Sequence, residues 1–256
     1  MKVAVYVQHL LGSGHLVRAQ QLAEALGLEG NDVTLISGGR ASEGEGYALV
    51  QLPVVKTAPG NFTVLLDQDG HPVDERWKKT RAKKLVAAMA QLAPDVLIVE
   101  TWPFGRRQME FEILPMLDQL FQRPDRPMLV CSIRDVLQTR KRSRRLLTLE
   151  NLERYFSLVL VHGDPRLIEL SCSFPEASGI ACPVAYTGYI HSECTLDPDN
   201  TEGDGEILVS AGGGPAGVKL LQVAAQASKG DDRSWHLLAG AGIDDDQFED
   251  LMNLQC

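Results

Sequence analysis

Short apolar runs alternate along the chain with stretches in which apolar residues recur every three or four positions. The first run, KVAVYVQ, is rich in β-branched residues and predicts a strand, and the following SGHLVRAQQLAEALGLEG predicts a helix. Gly27 and Gly30 supply stop signals for that helix. Because strands and helices continue to alternate, the pattern predicts βαβ units and a parallel sheet.

The same pattern predicts the other elements of a first domain. Further strands are predicted at DVTLIS, YALVQL, PDVLIVE, RPMLVCSIRD, FSLVLVHGD and VAYTGYI. Helices are predicted over residues 74–91, over RRQMEFEILPMLDQLFQ with an interruption at Pro115, over residues 136–155 and, briefly, after Pro165. Residues 53–73 contain prolines and glycines without a helical period, so we expect a long loop or a short excursion there.

A second domain is predicted after residues 191–205, which contain few apolar side chains and are interpreted as a linker. Beyond them the pattern restarts with the strand EILVSA, a glycine turn, the helix AGVKLLQVAAQAS, the strand WHLLAG and the start of another helix near Asp245. The predicted fold class is therefore α/β, with a complete doubly wound parallel-sheet domain over residues 1–190 and the beginning of a second Rossmann-like domain over residues 206–256. We expect this second domain to be incomplete, because an open sheet of this kind usually has about five or six strands.

Composition narrows the class of protein. The chain has 256 residues, of which 44% are hydrophobic and 23% charged, as in ordinary globular proteins. It has no apolar run long enough to span a membrane and no secretory signal, so we expect a cytoplasmic protein. Five scattered cysteines without a CxxC pair argue against a disulfide framework or a zinc site. The net charge of −9 argues against nucleic-acid binding, and its concentration after residue 200 supports a change of domain there.

The turn GSGH follows the first predicted strand, where ligands bind in open parallel sheets. Gly12 and Gly14 allow a tight turn whose exposed N–H groups, with the helix N-terminus, favour an anion. A dinucleotide fingerprint would need a third glycine where Val17 stands, and no Walker lysine follows. The helix dipole disfavours a charged imidazole, so His15 is a candidate proton acceptor near neutral pH. The alternative is a polar residue with no chemical task at a helix start.

Two further turns follow predicted strands and leave both structural and functional alternatives open. In ETWPFGRR, Glu100 ends a strand and Arg106 and Arg107 follow, either in a surface loop or in contact with a polar substrate. In SIRD, Arg134 and Asp135 either form structural ion pairs or line a cleft.

The last two turns differ in their expected roles. In VHGDP, Asp164 before a proline predicts a helix cap, and His162 predicts a hydrogen-bonded histidine at a strand end. In SAGGGPAG, three consecutive glycines join a strand to a helix, which favours a diphosphate bound by backbone N–H groups. The alternative for the glycines is simple tight turning.

The order and spacing of these motifs resemble those of a known family. GSGHLVRAQQLAEAL resembles the first glycine loop and helix of GT-B glycosyltransferases related to MurG. ILVSAGGG resembles the first strand and loop of their donor domain, and YTGYI resembles the segment that leads into their hinge. The combination of SIRD, VHGDP and TGYI is most similar to a group of MurG-like predicted glycosyltransferases. The resemblance covers most of the chain.

The resemblance implies a GT-B-like fold with an acceptor-type domain over residues 1–190, a hinge over residues 191–205 and a nucleotide-sugar-binding domain from residue 206. It implies a hexosyltransferase-type enzyme that moves a sugar from a nucleotide-diphosphate donor, expected to be a UDP-sugar, to the hydroxyl of an unidentified acceptor. No cofactor and no obligatory metal are implied. The sequence departs from MurG in its shorter first glycine loop. It also ends at Cys256, before the expected ribose-binding acidic residue, so we expect poor donor binding by the isolated chain.

Roles follow from this resemblance together with the turns. His15 is the predicted catalytic base, and the alternative is that it binds an acceptor phosphate without a catalytic role. The donor diphosphate is predicted to bind at Ser210, Gly212, Gly213 and Gly214, where N–H groups and a helix dipole stabilise the leaving group. The acceptor is predicted to bind at Gly12, Ser13, Gly14, Arg18, Glu100, Arg134 and Asp135. Two alternatives remain open, a nucleotide-sugar hydrolase on the same fold and a non-catalytic sugar-nucleotide-binding module.

The segment RKRSRR, Arg140–Arg145, concentrates positive charge on the predicted helix over residues 136–155. One interpretation is a solvated helix face. The other is peripheral contact with an anionic membrane surface or with a lipid-linked acceptor.

Overall fold

A computed structural model describes residues 1–10, 12–58, 61–191, 203–212, 217–240 and 243–255. The chain divides into two compact units, a larger one that includes His15–Ser192 and a smaller one that includes Glu193–Cys256. The predicted linker over residues 191–205 lies largely outside the described residues, so the proposed domain bounds stay a prediction.

The larger unit follows the predicted alternation of strands and helices. Its strands are β1 Lys2–Val7, β2 Asp32–Ser37, β3 Ala48–Gln51, β4 Lys56–Ala58, β5 Asn61–Leu66, β6 Val96–Glu100, β7 Met128–Arg134, β8 Leu158–His162 and β9 Val184–Tyr186. Its α-helices are α1 Gly14–Leu28, α2 Glu75–Leu92, α3 Glu110–Phe121 and α4 Arg142–Tyr155. Seven of the strands form one sheet in the order β3-β2-β1-β6-β7-β8-β9, and every neighbouring pair is parallel.

The sheet is buried on both faces, as its uninterrupted apolar strands require. Along β1, Ala4 and Tyr6 pack into one hydrophobic cluster, while Val3, Val5 and Val7 pack into the other. Successive side chains of a strand point to opposite faces, so the helices cover the sheet from both sides. The carboxyl ends of the parallel strands meet at one edge, and this edge carries the candidate site.

Helix α2 matches the prediction over residues 74–91 and shows why it starts there. Asp74 caps the helix, with its Oδ1 accepting a hydrogen bond of 2.7 Å from the backbone N–H of Trp77. Its buried face includes Leu85 and Met89, which join the core on one side of the sheet. Local capping and apolar spacing therefore act together to define this helix.

The predicted loop over residues 53–73 is wrong in its middle part. Strands β4 and β5 form a two-stranded antiparallel sheet, with Thr57 paired to Leu65. Both residues are buried, and the Thr57 hydroxyl donates a hydrogen bond to the carbonyl of Leu10. The apolar, β-favouring residues of this segment thus form a short pair of strands. The neighbouring prolines and glycines are typical of loops, which is why the sequence pattern predicted a loop.

The predicted interruption at Pro115 is also wrong, because α3 continues through this residue. Pro115 is exposed, whereas the buried face includes Ile113, Met116 and Leu117. Burial of that face outweighs the loss of one backbone hydrogen bond.

Two helix predictions after β7 need correction. The helix predicted from residue 136 begins only at Arg142, since the preceding backbone is held elsewhere, with the N–H of Leu137 bonded to the hydroxyl of Ser173 at 3.0 Å. After Pro165 the chain forms a turn and then two short 3₁₀ helices, Leu170–Cys172 and Ala177–Gly179.

The smaller unit contains the predicted strands and helices. It contains β10 Ile207–Ser210, α5 Val218–Ser228, β11 Trp235–Leu238 and α6 Asp245–Gln255, and its two strands are parallel. A Cβ atom at Gly217 would overlap the side chain of Ala211, so a glycine is required where α5 starts against the end of β10. The predicted α/β class is confirmed, with a Rossmann-like parallel sheet in the larger unit and a parallel strand pair with helices in the smaller one.

None of the helices in the described part of the chain is long and apolar enough to cross a membrane.

Candidate functional site

The candidate site lies at the carboxyl edge of the large sheet, where α1 starts beside β6. His15 is the second residue of α1, and Glu100 is the last residue of β6. Strands β1 and β6 are direct neighbours, so the loop after β1 brings the start of α1 over the end of β6. The fold itself therefore places these two side chains together, although 85 residues separate them in sequence.

Glu100 is the centre of this cluster. Its Oε1 lies 3.0 Å from Nδ1 of His15 and 3.1 Å from the hydroxyl of Thr101, and it also forms an ion pair with Arg18. Its Oε2 accepts a hydrogen bond of 2.5 Å from the hydroxyl of Ser132. Both carboxylate oxygens are thus engaged, and the residue is buried.

Glu100 is ionised at neutral pH. Burial alone would raise the pKa of its carboxyl, but the hydrogen bond from His15, the charge of Arg18 and the hydrogen bond from Ser132 together lower the pKa to about 2. An ionised carboxylate can only accept hydrogen bonds, so the proton shared with His15 belongs on Nδ1. In the neutral ring with this tautomer, Nε2 of His15 carries the lone pair.

The side chain of His15 is partly exposed to solvent, although its partner Glu100 is buried. Its side chain is 27% exposed, and no described residue forms a hydrogen bond with its Nε2. The imidazole is therefore fixed through one nitrogen by a carboxylate and offers the lone pair of the other nitrogen to a ligand. A histidine that is oriented through Nδ1 by a buried carboxylate can act chemically as a general base at Nε2.

The backbone next to Glu100 is strained. Thr101 has a φ of 72°, which a β-branched residue rarely adopts. Such residues cost about 1–3 kcal/mol each and concentrate at functional sites. Here the strain is held by backbone hydrogen bonds from Thr101 to the carbonyl of Ser132 at 2.7 Å and from Gly105 to the carbonyl of Thr101 at 3.0 Å. The turn thereby keeps the Thr101 hydroxyl against both Glu100 and His15.

Polar contacts continue across the sheet from Glu100. The Ser132 hydroxyl lies 2.9 Å from Nε2 of His162, and Nδ1 of His162 lies 2.8 Å from the hydroxyl of Thr187. Ser132 and His162 are buried, and the pKa of His162 is lowered to about 4, mainly by burial. The expected hydrogen-bonded role of His162 at its strand end is confirmed.

Positive charge gathers on the same edge. Arg106 has a φ of 59°, and its Nε donates a hydrogen bond of 2.8 Å to the carbonyl of Gln8. Burial, together with the nearby charges of Arg140 and Arg18, lowers the pKa of Arg106. The ring of His9 lies against Gly39, and its buried Nδ1 has no hydrogen-bond partner within the described part of the chain.

The other predicted acceptor-binding residues are only partly brought to this cluster. Arg18 belongs to it, whereas Arg134 is exposed and its Nε donates to the carbonyl of Val136 at 2.5 Å. Asp135 accepts a hydrogen bond of 3.1 Å from the hydroxyl of Tyr189. The turn residues Gly12, Ser13 and Gly14 precede His15, and Ser13 and Gly14 are exposed.

The predicted donor-binding residues lie in the smaller unit. Gly212 has a φ of 71°, and its backbone N–H donates a hydrogen bond of 3.3 Å to the hydroxyl of Ser210. Gly213 and Gly214 lie outside the described residues. The left-handed backbone at Gly212 explains the need for glycine at the start of this turn.

One group of side chains within the described ranges has the spacing of metal ligands. Asp67, Asp69 and His71 lie in the turn after β5. Oδ1 of Asp67 accepts backbone hydrogen bonds from Asp69 at 3.0 Å and from His71 at 2.9 Å, so this carboxylate already stabilises the turn. The cluster does not include the residues around His15.

Sequence reasoning did not identify Thr101, Ser132 or Thr187. Each lies in or next to a motif that was singled out. Thr101 follows Glu100, Ser132 is the first residue of SIRD, and Thr187 is the first residue of TGYI. These residues are brought together by the register of the sheet, in which Glu100 and Ser132 are direct partners on neighbouring strands. A single sequence does not contain that register.

Solved structures that are similar in fold to this chain include glycosyltransferases of the GT-B fold. MurG from Acinetobacter baumannii is 16% identical, with a TM-score of 0.54 over 99% of this chain and 64% of its own. UGT2 from Phytolacca americana, complexed with UDP-2fluoro-glucose and pterostilbene, is 12% identical, with a TM-score of 0.57 over 99% of this chain and 70% of its own. The resemblance to MurG-like GT-B glycosyltransferases is thus confirmed at the level of fold.

A UDP-glucosyltransferase from Polygonum tinctorium that glucosylates indoxyl is also similar, at 12% identity and a TM-score of 0.56 over 100% of this chain and 69% of its own. The chain therefore spans roughly two thirds of these proteins, and less than that of MurG, at 64%. No protein-family model and no curated protein sequence matches the chain.

Proposed function

We propose that this protein transfers a sugar from a nucleotide-diphosphate donor to the hydroxyl of an acceptor, with His15 as the general base. One observation carries the proposal. Nδ1 of His15 is held 3.0 Å from the ionised carboxylate of Glu100, which leaves Nε2 of this partly exposed ring available to accept a proton. Likeness in fold to MurG and to plant UDP-sugar enzymes supports the reaction class.

The proposed reaction needs a proton acceptor at the attacking hydroxyl. Nε2 of His15 takes the hydroxyl proton while the acceptor oxygen bonds to the anomeric carbon. The bond from that carbon to the diphosphate oxygen breaks, and its electron pair leaves with the nucleoside diphosphate. The imidazolium that forms is stabilised by the negative charge of Glu100, which donates no proton of its own.

Acceptor binding is proposed at the carboxyl edge of the large sheet. Arg18, Arg134 and Asp135, together with the turn Gly12–Gly14, supply its polar groups. The carboxylate of Glu100 faces His15 and Arg18, so its proposed contribution to the acceptor is made through these neighbours. Fold likeness alone leaves the acceptor unspecified.

Donor binding is proposed at the turn after β10, with a UDP-sugar as the donor. The left-handed Gly212 beside Ser210, at the strand end that leads into α5, supports a diphosphate site. Backbone N–H groups and the dipole of α5 would stabilise the leaving diphosphate, so we propose that no metal ion is required.

Release of UDP from UDP-sugars with a panel of hydroxyl acceptors tests this function. We expect acceptor-dependent UDP release that persists in EDTA and falls in His15→Ala. Free sugar without acceptor would instead indicate a hydrolase. A thermal shift with UDP-sugar but no turnover would indicate a binding module and would contradict the proposal.

We further propose that the segment Arg140–Arg145 makes a peripheral contact with an anionic surface, such as a membrane or a lipid-linked acceptor at its cytoplasmic face. Arg140, Arg142 and Arg144 are exposed, whereas Arg145 forms an ion pair with Glu176. The segment is followed by two exposed leucines, Leu146 and Leu147. Exposed cations next to exposed apolar side chains match the requirements of an anionic interface.

A further inference from the structure

The hydroxyl of Ser132 stands between two groups, each of which could accept its single proton. It lies 2.5 Å from Oε2 of Glu100 and 2.9 Å from Nε2 of His162. The carboxylate is ionised and can only accept a hydrogen bond, so the shorter contact requires the proton of Ser132. The oxygen of Ser132 must then accept at the longer contact, which makes Nε2 of His162 the donor.

The role of Nδ1, the other ring nitrogen of His162, follows from the assignment of the proton to Nε2. Burial keeps the ring neutral, so a proton on Nε2 leaves Nδ1 as an acceptor. The partner of Nδ1 is the hydroxyl of Thr187, at 2.8 Å. That hydroxyl also lies 3.0 Å from the carbonyl of Gly188, and it has one proton to give. The proton belongs on the shorter contact, because Nδ1 would otherwise face an oxygen with no proton between them.

We propose that Thr187, His162 and Ser132 form a chain of hydrogen bonds in which every donor points towards Glu100, and that Ser132 and His162 are positioning residues for the His15–Glu100 pair. The chain runs along one face of the sheet through the ends of β8 and β7 to β6. Its catalytic part rests on the proposed function, since it assumes that His15 is the base. Its structural part, the direction of the protons, does not.

The chain fixes Glu100 from the side opposite His15. Oε1 receives His15, Arg18 and Thr101, so without a partner at Oε2 the carboxylate could turn about its last bond. Ser132 prevents that rotation, and His162 keeps Ser132 from turning its proton elsewhere. Hydrogen-bonded chains of this kind also polarise one another, which strengthens the bond at the carboxylate.

The tautomer of His162 tests the direction of the chain. Long-range ¹H–¹⁵N correlation spectra of the full chain, labelled with ¹⁵N-histidine at neutral pH, report which ring nitrogen carries the proton, and His162→Gln assigns the signal. We expect the Nε2–H tautomer. In Thr187→Val this preference should weaken, whereas Thr187→Ser, which keeps the hydroxyl, should retain it. An Nδ1–H tautomer in the wild type would overturn the proposal, because an unprotonated Nε2 would compete with Glu100 for the Ser132 proton. A doubly protonated ring would also overturn it, because Nδ1 could not then accept the Thr187 proton.

The positioning role is tested with Ser132→Ala. Loss of the donor to Oε2 should raise the pKa of Glu100, followed by ¹³C NMR of its carboxyl, and should lower kcat roughly 10- to 100-fold with little change in KM. Ser37→Ala is the matched control, because Ser37 is equally buried at the end of β2 and its hydroxyl donates to the carbonyl of Gly39 at 2.8 Å. Equal effects in the two variants would overturn the role of Ser132.

His162 is tested by two substitutions that differ in one property. His162→Gln keeps an N–H donor near the position of Nε2, whereas His162→Leu fills the site without one. We expect the glutamine variant to keep most of kcat and the leucine variant to lose it. Equal losses in two folded variants would show that His162 only fills space. The tautomer and the pKa of Glu100 need no substrate, so a failed transferase assay and a failed hydrogen-bond chain give different results.

Discussion

The imidazole of His15 and the carboxylate of Glu100 meet with opposite access to solvent, since 27% of the histidine side chain is exposed against 2% of the glutamate side chain. The charge that orients the base is thereby shielded from water and from salt, and the base itself remains reachable. This asymmetry separates the two roles. In the proposed mechanism, His15 meets the substrate and Glu100 acts through His15.

Removing either member of this pair should reduce turnover. We expect His15→Ala to lower kcat by about 10²- to 10⁴-fold, because the attacking hydroxyl loses its proton acceptor. Glu100→Gln keeps a similar shape without the charge, so a smaller loss of roughly 10- to 100-fold is expected. Initial rates of UDP release at saturating acceptor measure both effects.

The double variant tests whether Glu100 contributes to turnover through His15 or independently of it. If Glu100 acts through His15, the loss in His15→Ala/Glu100→Gln should be close to that of His15→Ala alone. His71→Ala is the control, since His71 is an exposed histidine in the turn after β5. Multiplying losses in the double variant would mean that Glu100 contributes by a separate route.

Most strands of the large sheet, and the location of His15 at the start of a helix, could be predicted from the sequence. Alternating apolar runs and capping signals such as Asp74 are local, so they can be recognised without the fold. The strands β4 and β5 were missed because their few residues are surrounded by turn formers. Pro115 was misjudged because its cost is local, whereas the burial that outweighs it is tertiary.

The candidate site shows the same division between local and tertiary information. His15 could be singled out from its turn, but its partner could not be assigned, because Glu100 is distant in sequence and was predicted to bind the acceptor. Ser132 and Thr187 carry no local signal of function. Their role depends on which strands are neighbours and in which register, and that information appears only with the sheet.

Acidification should destabilise the protein through His162. Its folded pKa of about 4 lies below the ordinary value of 6.5, so the unfolded chain binds the proton first as the pH falls. This contribution to stability is complete above about pH 6.5 and is lost as the pH falls through about 4. We expect His162→Gln to flatten the decrease in Tm over this range by at least about 2 °C, the shift that roughly 1 kcal/mol produces in a chain of this size.

The control for this pH dependence is His71→Gln, which should keep the wild-type slope. A residual slope is expected in His162→Gln, because burial and the charges of Arg106 and His15 also lower the pKa of His9. Melting curves by circular dichroism between pH 4 and pH 7 provide the measurement. A His162→Gln variant with the full wild-type slope would contradict the assignment.

The buried ion pair between Arg81 and Glu112 should be the costliest charged contact to break from one side. Both side chains are fully buried, with Nε of Arg81 2.5 Å from Oε2 of Glu112, and Glu112 also accepts the hydroxyl proton of Tyr6. Arg81→Met leaves Glu112 as an uncompensated charge, so we expect a loss of about 3–5 kcal/mol in the free energy of unfolding. Urea denaturation measures it.

Lys78→Met is the matched control for Arg81→Met, since Lys78 pairs with the exposed Glu75 on the same helix. Exposed pairs contribute only about 0–1 kcal/mol, so this variant should unfold close to the wild type. Similar losses in the two variants would show that the cost lies in helix α2 and not in the buried charge.

The basic segment before and within α4 should bind anionic vesicles. Arg140, Arg142 and Arg144 are exposed, and each basic residue near an anionic surface contributes about 1 kcal/mol. Changing these three arginines to glutamate should therefore lower the partition coefficient on phosphatidylserine-containing vesicles by about 100-fold or more. Co-sedimentation at low salt measures this effect.

The control changes the three exposed lysines of α2, Lys79, Lys83 and Lys84, to glutamate, which alters the net charge equally. An equal decrease in both variants would indicate general charge attraction without a specific surface, and binding that ignores anionic lipid would remove the proposed contact.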